Sequence, residues 1–167
     1  MNKQKTILIL IPNLGRGGAQ KVFHDQRIFY STRFRVIPCV FNWDGSFEAE
    51  RLQGIYSLEV PAGKGIIDKF FSFCRRVIEL RKLKKKFNVD VCVSHLEGAD
   101  YVNILSNQNE KLVCWIHGTK MHDDNIEGVI GLIRKKMLIP ILYKRSDILA
   151  VVSAGIKKEL IEEYGLS

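Results

Sequence analysis

Ile7, Leu8, Ile9, Leu10 and Ile11 make an unbroken apolar run that stops at Pro12. A run this short and this continuous reads as a strand buried on both faces. It feeds directly into Pro12-Asn13-Leu14-Gly15-Arg16-Gly17-Gly18-Ala19-Gln20, a glycine-rich turn that opens a helix. A strand, a glycine turn and a helix N-terminus together make a phosphate site, because unpaired backbone N–H groups and the positive end of the helix dipole point to one spot. Glycines there are expected to allow close approach and positive φ. The turn is neither a GxxxxGK[ST] loop nor a GxGxxG fingerprint. The same residues also describe a tight strand-to-helix turn that holds no ligand.

The rest of the chain alternates short apolar runs with longer helical ones. The expected strands are Thr6–Ile11, Arg35–Phe41, Ser57–Val60, Val89–Ser94, Leu112–His117 and Ile148–Val152. The expected helices are Gly18–Tyr30, Ile66–Phe87, Ala99–Ser106, Glu127–Lys144 and Ala154–Tyr164, with Pro140 kinking or splitting the fourth near Ile139. This alternation predicts a doubly wound, mostly parallel α/β sheet of Rossmann-like type, three layers deep, with six or seven strands. Val89–Val93 is expected beside Ile7–Ile11 at the point where strand order reverses. A length of 167 residues suits one domain with a full core.

In a parallel sheet the turns that follow strands share one edge, where ligands bind. Three such turns carry chemistry: Asn13–Gly18, His95-Leu96-Glu97-Gly98, and His117-Gly118-Thr119-Lys120. Their convergence is a stronger signal than any one of them. His117 can bond a sugar hydroxyl or phosphate, or act as acid or base. It can equally do no more than satisfy backbone groups. His95 and Glu97 form an HxE pair, but the PCxxC of zinc deaminases is missing. His122-Asp123-Asp124 has ligand chemistry for a metal, yet three polar residues in a turn are more often solvated loop. No metal site is expected.

The net charge of +8 is concentrated in one place. Nine basic residues lie between Lys64 and Phe87 against only Asp68 and Glu79. Phe70, Cys74, Val77, Leu80 (or Arg81), Leu83 (or Lys84) and Phe87 recur at helical spacing as an apolar face, while Arg75, Arg76, Lys82, Lys85 and Lys86 fall mostly off it. This helix reads either as a solvated charged face or as a surface for anionic lipid headgroups. An RNA surface would interleave aromatics with the bases, whereas Phe70, Phe71 and Phe73 cluster at the helix start, so nucleic acid is not an expected partner. No apolar run reaches the roughly 18 residues of a membrane span, and the first is too short for a signal-peptide core. Cys39, Cys92 and Cys114 sit in strand-like runs and Cys74 in a helical one, with no CxxC pair. Reduced, largely buried thiols and a cytoplasmic location are expected.

Three segments together resemble one family. Gly17-Gly18-Ala19-Gln20-Lys21-Val22 is similar to the GGAE-R-V opening of GT-B glycosyltransferases of the family 4 type. Val113-Cys114-Trp115-Ile116-His117-Gly118-Thr119 resembles that family's strand ending in HGT. Ser146-Asp147-Ile148-Leu149-Ala150-Val151-Val152-Ser153 and the following run to Leu160 resemble its AD-x-x-x-x-VS segment, closed by Tyr164-Gly165-Leu166. Gln20 departs from the family's usual Glu. The resemblance covers the N-terminal half of such enzymes. The half that holds the donor nucleotide, with its basic pair and E-x7-E element, has no counterpart in residues 1–167.

The resemblance implies transfer of a sugar from a nucleotide-sugar donor to a glycan or lipid-linked acceptor held mostly by this half. It implies a hexosyltransferase-type reaction in surface polysaccharide or glycolipid synthesis, with no cofactor or metal and with retained anomeric configuration. Matched by motif, Gly15, Arg16, Gly17 and Gly18 lie against the donor phosphates, and His117 contacts the donor sugar or reacting groups. His95, Glu97 and Thr119 line the acceptor side of the cleft. The resemblance also favours a peripheral position at the inner membrane face, with Arg75, Arg76, Lys82, Lys85 and Lys86 as the lipid-facing set. The chain alone is expected to be inactive without a C-terminal domain, in cis or in trans. The competing expectations are a subunit of a split glycosyltransferase, and a non-enzymatic nucleotide-binding or membrane-anchoring module.

Overall fold

The computed structural model describes residues 4–43, 54–119 and 134–166. Six strands form one sheet: β1 (Thr6–Ile11), β2 (Arg35–Val40), β3 (Tyr56–Ser57), β4 (Val91–His95), β5 (Lys111–Ile116) and β6 (Ile148–Val151). Their spatial order is β3-β2-β1-β4-β5-β6 and every pairing is parallel. β1 and β4 are neighbours, with Ile7 opposite Val91 and Ile9 opposite Val93, as the apolar runs required. β2 and β3 lie on one side of β1, and β4, β5 and β6 on the other. The carboxyl ends of β1 and β4 therefore flank the switch point.

All six β1 residues are buried, because both of its edges are paired and both of its faces are covered. Helix α1 (Gly18–Ser31) covers one face, packing Ala19 and Phe23 against Ile7, Ile9, Ile11 and Val93. The other face carries α2 (Ile66–Phe87), α3 (Glu97–Leu105), α4 (Ile139–Tyr143) and α5 (Ala154–Tyr164), which pack on Leu8, Leu10, Cys92, Leu112 and Cys114. Full burial of one such aliphatic side chain contributes about 1.5–3 kcal/mol, so these two clusters dominate stability. The four cysteines are free thiols, three of them buried.

Two elements differ from expectation for visible reasons. The Ser57–Val60 strand shortens to β3 because Glu59 takes φ 54, which breaks the extended run, although Leu58 and Val60 still donate to Val40 and Phe41 carbonyls. In α2 Leu80, Lys84 and Phe87 are buried, with Phe73, Val77 and Leu83 half-buried against the core, whereas Phe70 faces out at 63% exposure. Lys84 can take a core position because its ammonium meets Glu110 at 2.6 Å and donates to the Asn103 carbonyl and Oδ1 at 3.0 and 2.8 Å. The expected Glu127–Lys144 helix begins outside the described residues. Its described part is a π-helical turn at Arg134–Leu138 that becomes α4 at Ile139, where Pro140 removes an N–H donor.

Candidate functional site at the carboxyl edge of β1, β4 and β5

The first turn after β1 is pinned by Asn13. Its Oδ1 accepts from the Gly15 amide at 3.2 Å and from Gln20 Nε2 at 3.3 Å. This gives the neutral Gln20 a role a carboxylate could not fill, since only an amide donates to that oxygen. No side chain caps α1. The expected positive φ is not found: Gly17 has φ 175 and ψ 169, extended backbone open to any residue, and neither Gly15 nor Gly18 is among the positive-φ glycines. Crowding within the chain does not require glycine at Gly17 or Gly18 either. A Cβ on Gly18 would meet nothing within 4 Å, and one on Gly17 would meet only the movable end of Gln20. Arg16 is exposed beside them.

The second and third turns are joined through a histidine pair. His95 ends β4 and is fully buried. Its Nδ1 lies 2.9 Å from His117 Nε2, and its Nε2 lies 3.1 Å from Gln26 Oε1 on α1. Parallel register places Trp115 opposite His95, and the two rings stack at an interplanar angle of 24°. Phe23 closes the slot edge-on. Burial, and secondarily the neighbouring His117, lowers the His95 pKa from 6.5 to about 3. His95 is therefore neutral at any working pH. His117 is half-buried just past β5.

Between His95 and Glu97 the backbone is strained. Leu96 has φ 72 and ψ 144, a conformation that costs a side-chain-bearing residue about 1–3 kcal/mol and is concentrated at functional sites. The amides of Ala99 and Asp100 hold it by bonding the Leu96 carbonyl. Glu97 is engaged, not open: Arg134 pairs with it through Nε and Nη2, and the Tyr101 hydroxyl donates to it at 2.7 Å. The Thr119 hydroxyl is directed to Glu159 of α5. Lys120 and His122-Asp123-Asp124 lie outside the described residues. Among the described residues no group of three metal-ligating side chains occurs.

Beneath the site, on the other face of the sheet, Ser94 donates to Asp100 at 2.7 Å, Tyr143 donates to Asp100 at 2.7 Å, and Asn103 donates to Ser94 at 3.1 Å. This buried network ties α3 and α4 to the end of β4 and fixes the strand that presents His95. Sequence reading missed both the network and Gln26. Gln26 was detectable: it follows Ala19 and Phe23 at helical spacing on the one buried face of α1, where a polar residue needs a partner.

The basic helix divides in two. Arg76 is not a free surface charge: its guanidinium donates to the Val60 carbonyl at 3.1 Å and lies over the Phe41 ring. Lys82 pairs with Glu79 at 2.8 Å, and Lys84, Lys85 and Lys86 occupy the last turn, where cations complement the helix dipole. Arg75, Lys85 and Lys86 are exposed. At the opposite end Ile66, Ile67, Phe70 and Phe71 are 77%, 72%, 63% and 65% exposed. No described helix is long and apolar enough to cross a membrane.

Residues 16–167 match the family model for Glycosyltransferase Family 4. The chain belongs to that family. A curated relative from Campylobacter jejuni, N-acetylgalactosamine-N,N'-diacetylbacillosaminyl-diphospho-undecaprenol 4-alpha-N-acetylgalactosaminyltransferase, is 24% identical over 95% of this chain. The chain spans 44% of that relative's length. Among solved structures, a UDP-N-acetylglucosamine 2-epimerase from Rickettsia bellii aligns with a TM-score of 0.72 and 14% identity, over 99% of this chain and 43% of that one. A glycosyltransferase from Rickettsia africae aligns with a TM-score of 0.66 and 17% identity, over 98% and 41%. At these identities the structures establish a shared Rossmann-like fold of the GT-B kind and nothing about chemistry.

Proposed function

We propose that this Family 4 chain is the acceptor-binding half of a glycosyltransferase, moving a sugar from a nucleotide-sugar donor to a glycan or lipid-linked acceptor in surface polysaccharide or glycolipid synthesis. The observation that carries the reading is the meeting of three turns at the switch point, with His117 coupled to a buried His95. The Campylobacter relative's printed acceptor, a saccharide on diphospho-undecaprenol, supports a lipid diphosphate as the acceptor class. The donor nucleotide is held by a second half that these 167 residues do not supply, so the isolated chain does not turn over.

Within this reading the open first turn of α1 faces the departing diphosphate. Uncapped amides and the helix dipole stabilise charge that grows in the transition state, and fixed dipoles need no reorganisation at that moment. The space beside Gly17 and Gly18 lets a phosphate approach the backbone closely. His117 accepts or donates one hydrogen bond to a hydroxyl of the sugar being transferred, which holds the reacting carbon in line. The donor is a substrate, and no metal or other cofactor is required.

The same reading places the chain at a membrane surface. α2 leaves the carboxyl side of the sheet after β3 and returns to the amino end of β4, so its apolar start lies toward the cleft edge. Ile66, Ile67, Phe70 and Phe71 enter the acyl boundary, while Arg75, Lys82, Lys85 and Lys86 attract anionic headgroups at about 1 kcal/mol each. A lipid-linked acceptor then meets the cleft without leaving the bilayer.

Amide-resolved NMR titration of the chain with a short-chain polyprenyl diphosphate saccharide tests the reading. Shifts at Gly98 and Gly118–Thr119 are expected from the saccharide, and shifts at Gly15–Gly18 from a nucleoside diphosphate added separately. Shifts confined to other surfaces with both ligands contradict it.

A further inference from the structure

His95 has no direct route to a ligand. It is fully buried, behind His117 on one side and α1 on the other. A buried histidine in a slot of Phe23 and Trp115 would normally be replaceable by an apolar ring, yet here both ring nitrogens are spent on named partners. The order of those partners has a direction. Gln26 is placed with Oε1 toward His95 and its Nε2 buried without a hydrogen bond; in that orientation the oxygen only accepts, so His95 Nε2 carries the proton and donates to it. A neutral imidazole carries one N–H, so His95 Nδ1 is a bare acceptor. His117 Nε2 then carries the proton that bridges the 2.9 Å contact. In a neutral His117, Nδ1 then carries no proton.

We propose that His95 is a positioning residue which, aligned by Gln26 and held in the Trp115–Phe23 slot, fixes the ring orientation of His117 and its Nε2–H tautomer. The inference rests on the reading of His117 as the cleft residue and deepens it, since it fixes which His117 nitrogen carries the proton. The burial of His95 supports it from a second direction. A group with its pKa lowered to about 3 stays neutral, and a neutral ring with Nε2 protonated cannot donate to His117. Were His95 to ionise, Nδ1 would become a donor and the direction of the relay would reverse. The strained Leu96 and the Ser94–Asp100–Tyr143 network hold the end of β4 that sets the His95 ring.

Long-range proton–nitrogen NMR spectra of the imidazole rings test this at neutral pH in the chain itself, with no substrate and no assay of activity. In the wild type, His95 and His117 should each show Nε2 protonated and Nδ1 bare. His95→Phe keeps the aromatic slot but removes both nitrogens, and the His117 nitrogen signals should move away from their wild-type values. Gln26→Leu removes the terminal acceptor and should move the nitrogen signals of both histidines. Protonated Nδ1 on His117 in the wild type overturns the proposal. So do unchanged His117 signals in either variant. If His95→Phe does not fold, the wild-type spectrum and Gln26→Leu still decide it. Failure of the cleft reading would appear separately, as normal turnover of a His117→Ala enzyme with the tautomers intact.

Discussion

Acid should weaken this fold through His95 specifically. Its folded pKa of about 3 lies below the unfolded value of 6.5, because burial and the adjacent His117 both oppose a second proton. The unfolded state therefore binds more protons between those values, and linkage requires stability to fall as pH falls through that window. The contribution is complete above pH 6.5 and is lost progressively toward pH 3. Two-state titration with these pKa values gives about 0.2 kcal/mol lost at pH 7 and about 2 kcal/mol at pH 5, both measured against the fully deprotonated limit. That difference is a large part of the roughly 5–15 kcal/mol stability of an ordinary domain. Carboxylates also titrate below pH 5, so the wild type alone does not isolate the effect. His95→Phe does, because phenylalanine titrates in neither state and every carboxylate is retained. Urea unfolding at pH 7, 6 and 5 should show the wild type losing about 2 kcal/mol more than His95→Phe over the two units. Parallel losses in the two proteins would refute the argument and mean that His95 accepts a proton while folded.

Three further predictions follow from single contacts. Lys84→Ala strands the Glu110 carboxylate in the core and should cost about 3–5 kcal/mol by urea unfolding, whereas Lys84→Met with Glu110→Leu should recover most of it; equal losses would mean the pair is not a closed buried unit. Gly18→Ala should leave the unfolding midpoint within about 1 kcal/mol of wild type, because the added methyl meets nothing, yet it should weaken acceptor or donor diphosphate binding; unaltered binding would remove the phosphate from this turn. Ile67→Glu with Phe71→Glu should release the chain from anionic vesicles at low salt without unfolding it, and Arg76→Gln should not, since Arg76 is held by Val60 and Phe41; equal recovery of wild type with anionic and zwitterionic vesicles would exclude the membrane surface.

The sheet was legible because its signals are local. Continuous apolar runs such as Ile7–Ile11 admit only a strand buried on both faces, and their alternation with helical periods leaves few topologies. Helices α2 and α5 begin and end where periodicity places them, at Ile66–Phe87 and Ala154–Tyr164. What the sequence did not disclose depends on side chains meeting across long separations. Helical spacing leaves Lys84 as an alternative to Leu83 on the apolar stripe, and its place in the core becomes clear only when Glu110 and Asn103 are brought to it by the fold. Arg76 reads as lipid-facing until the loop carbonyl of Val60 is placed beneath it. The exposure of Phe70 in place of Phe73 is a choice of helix rotation that a one-residue ambiguity in the apolar stripe leaves open. His95 and His117 were each visible at strand ends, but the contact between them requires β4 and β5 to be adjacent, and Gln26 to arrive from a helix 69 residues earlier. Of the two reasons expected for glycines in the first turn, positive φ is not found, since Gly17 is extended and neither Gly15 nor Gly18 is among the positive-φ glycines.

The central claim, sugar transfer at the β1–β4 switch point through His117, is tested most directly by turnover of His117→Ala in the enzyme with its donor-binding half in place. The account predicts at least a tenfold fall in turnover, about 1.4 kcal/mol of lost transition-state stabilisation or more, with an unchanged circular dichroism spectrum and unfolding midpoint. Wild-type turnover in the folded variant would contradict it and move the reacting centre away from this edge of the sheet.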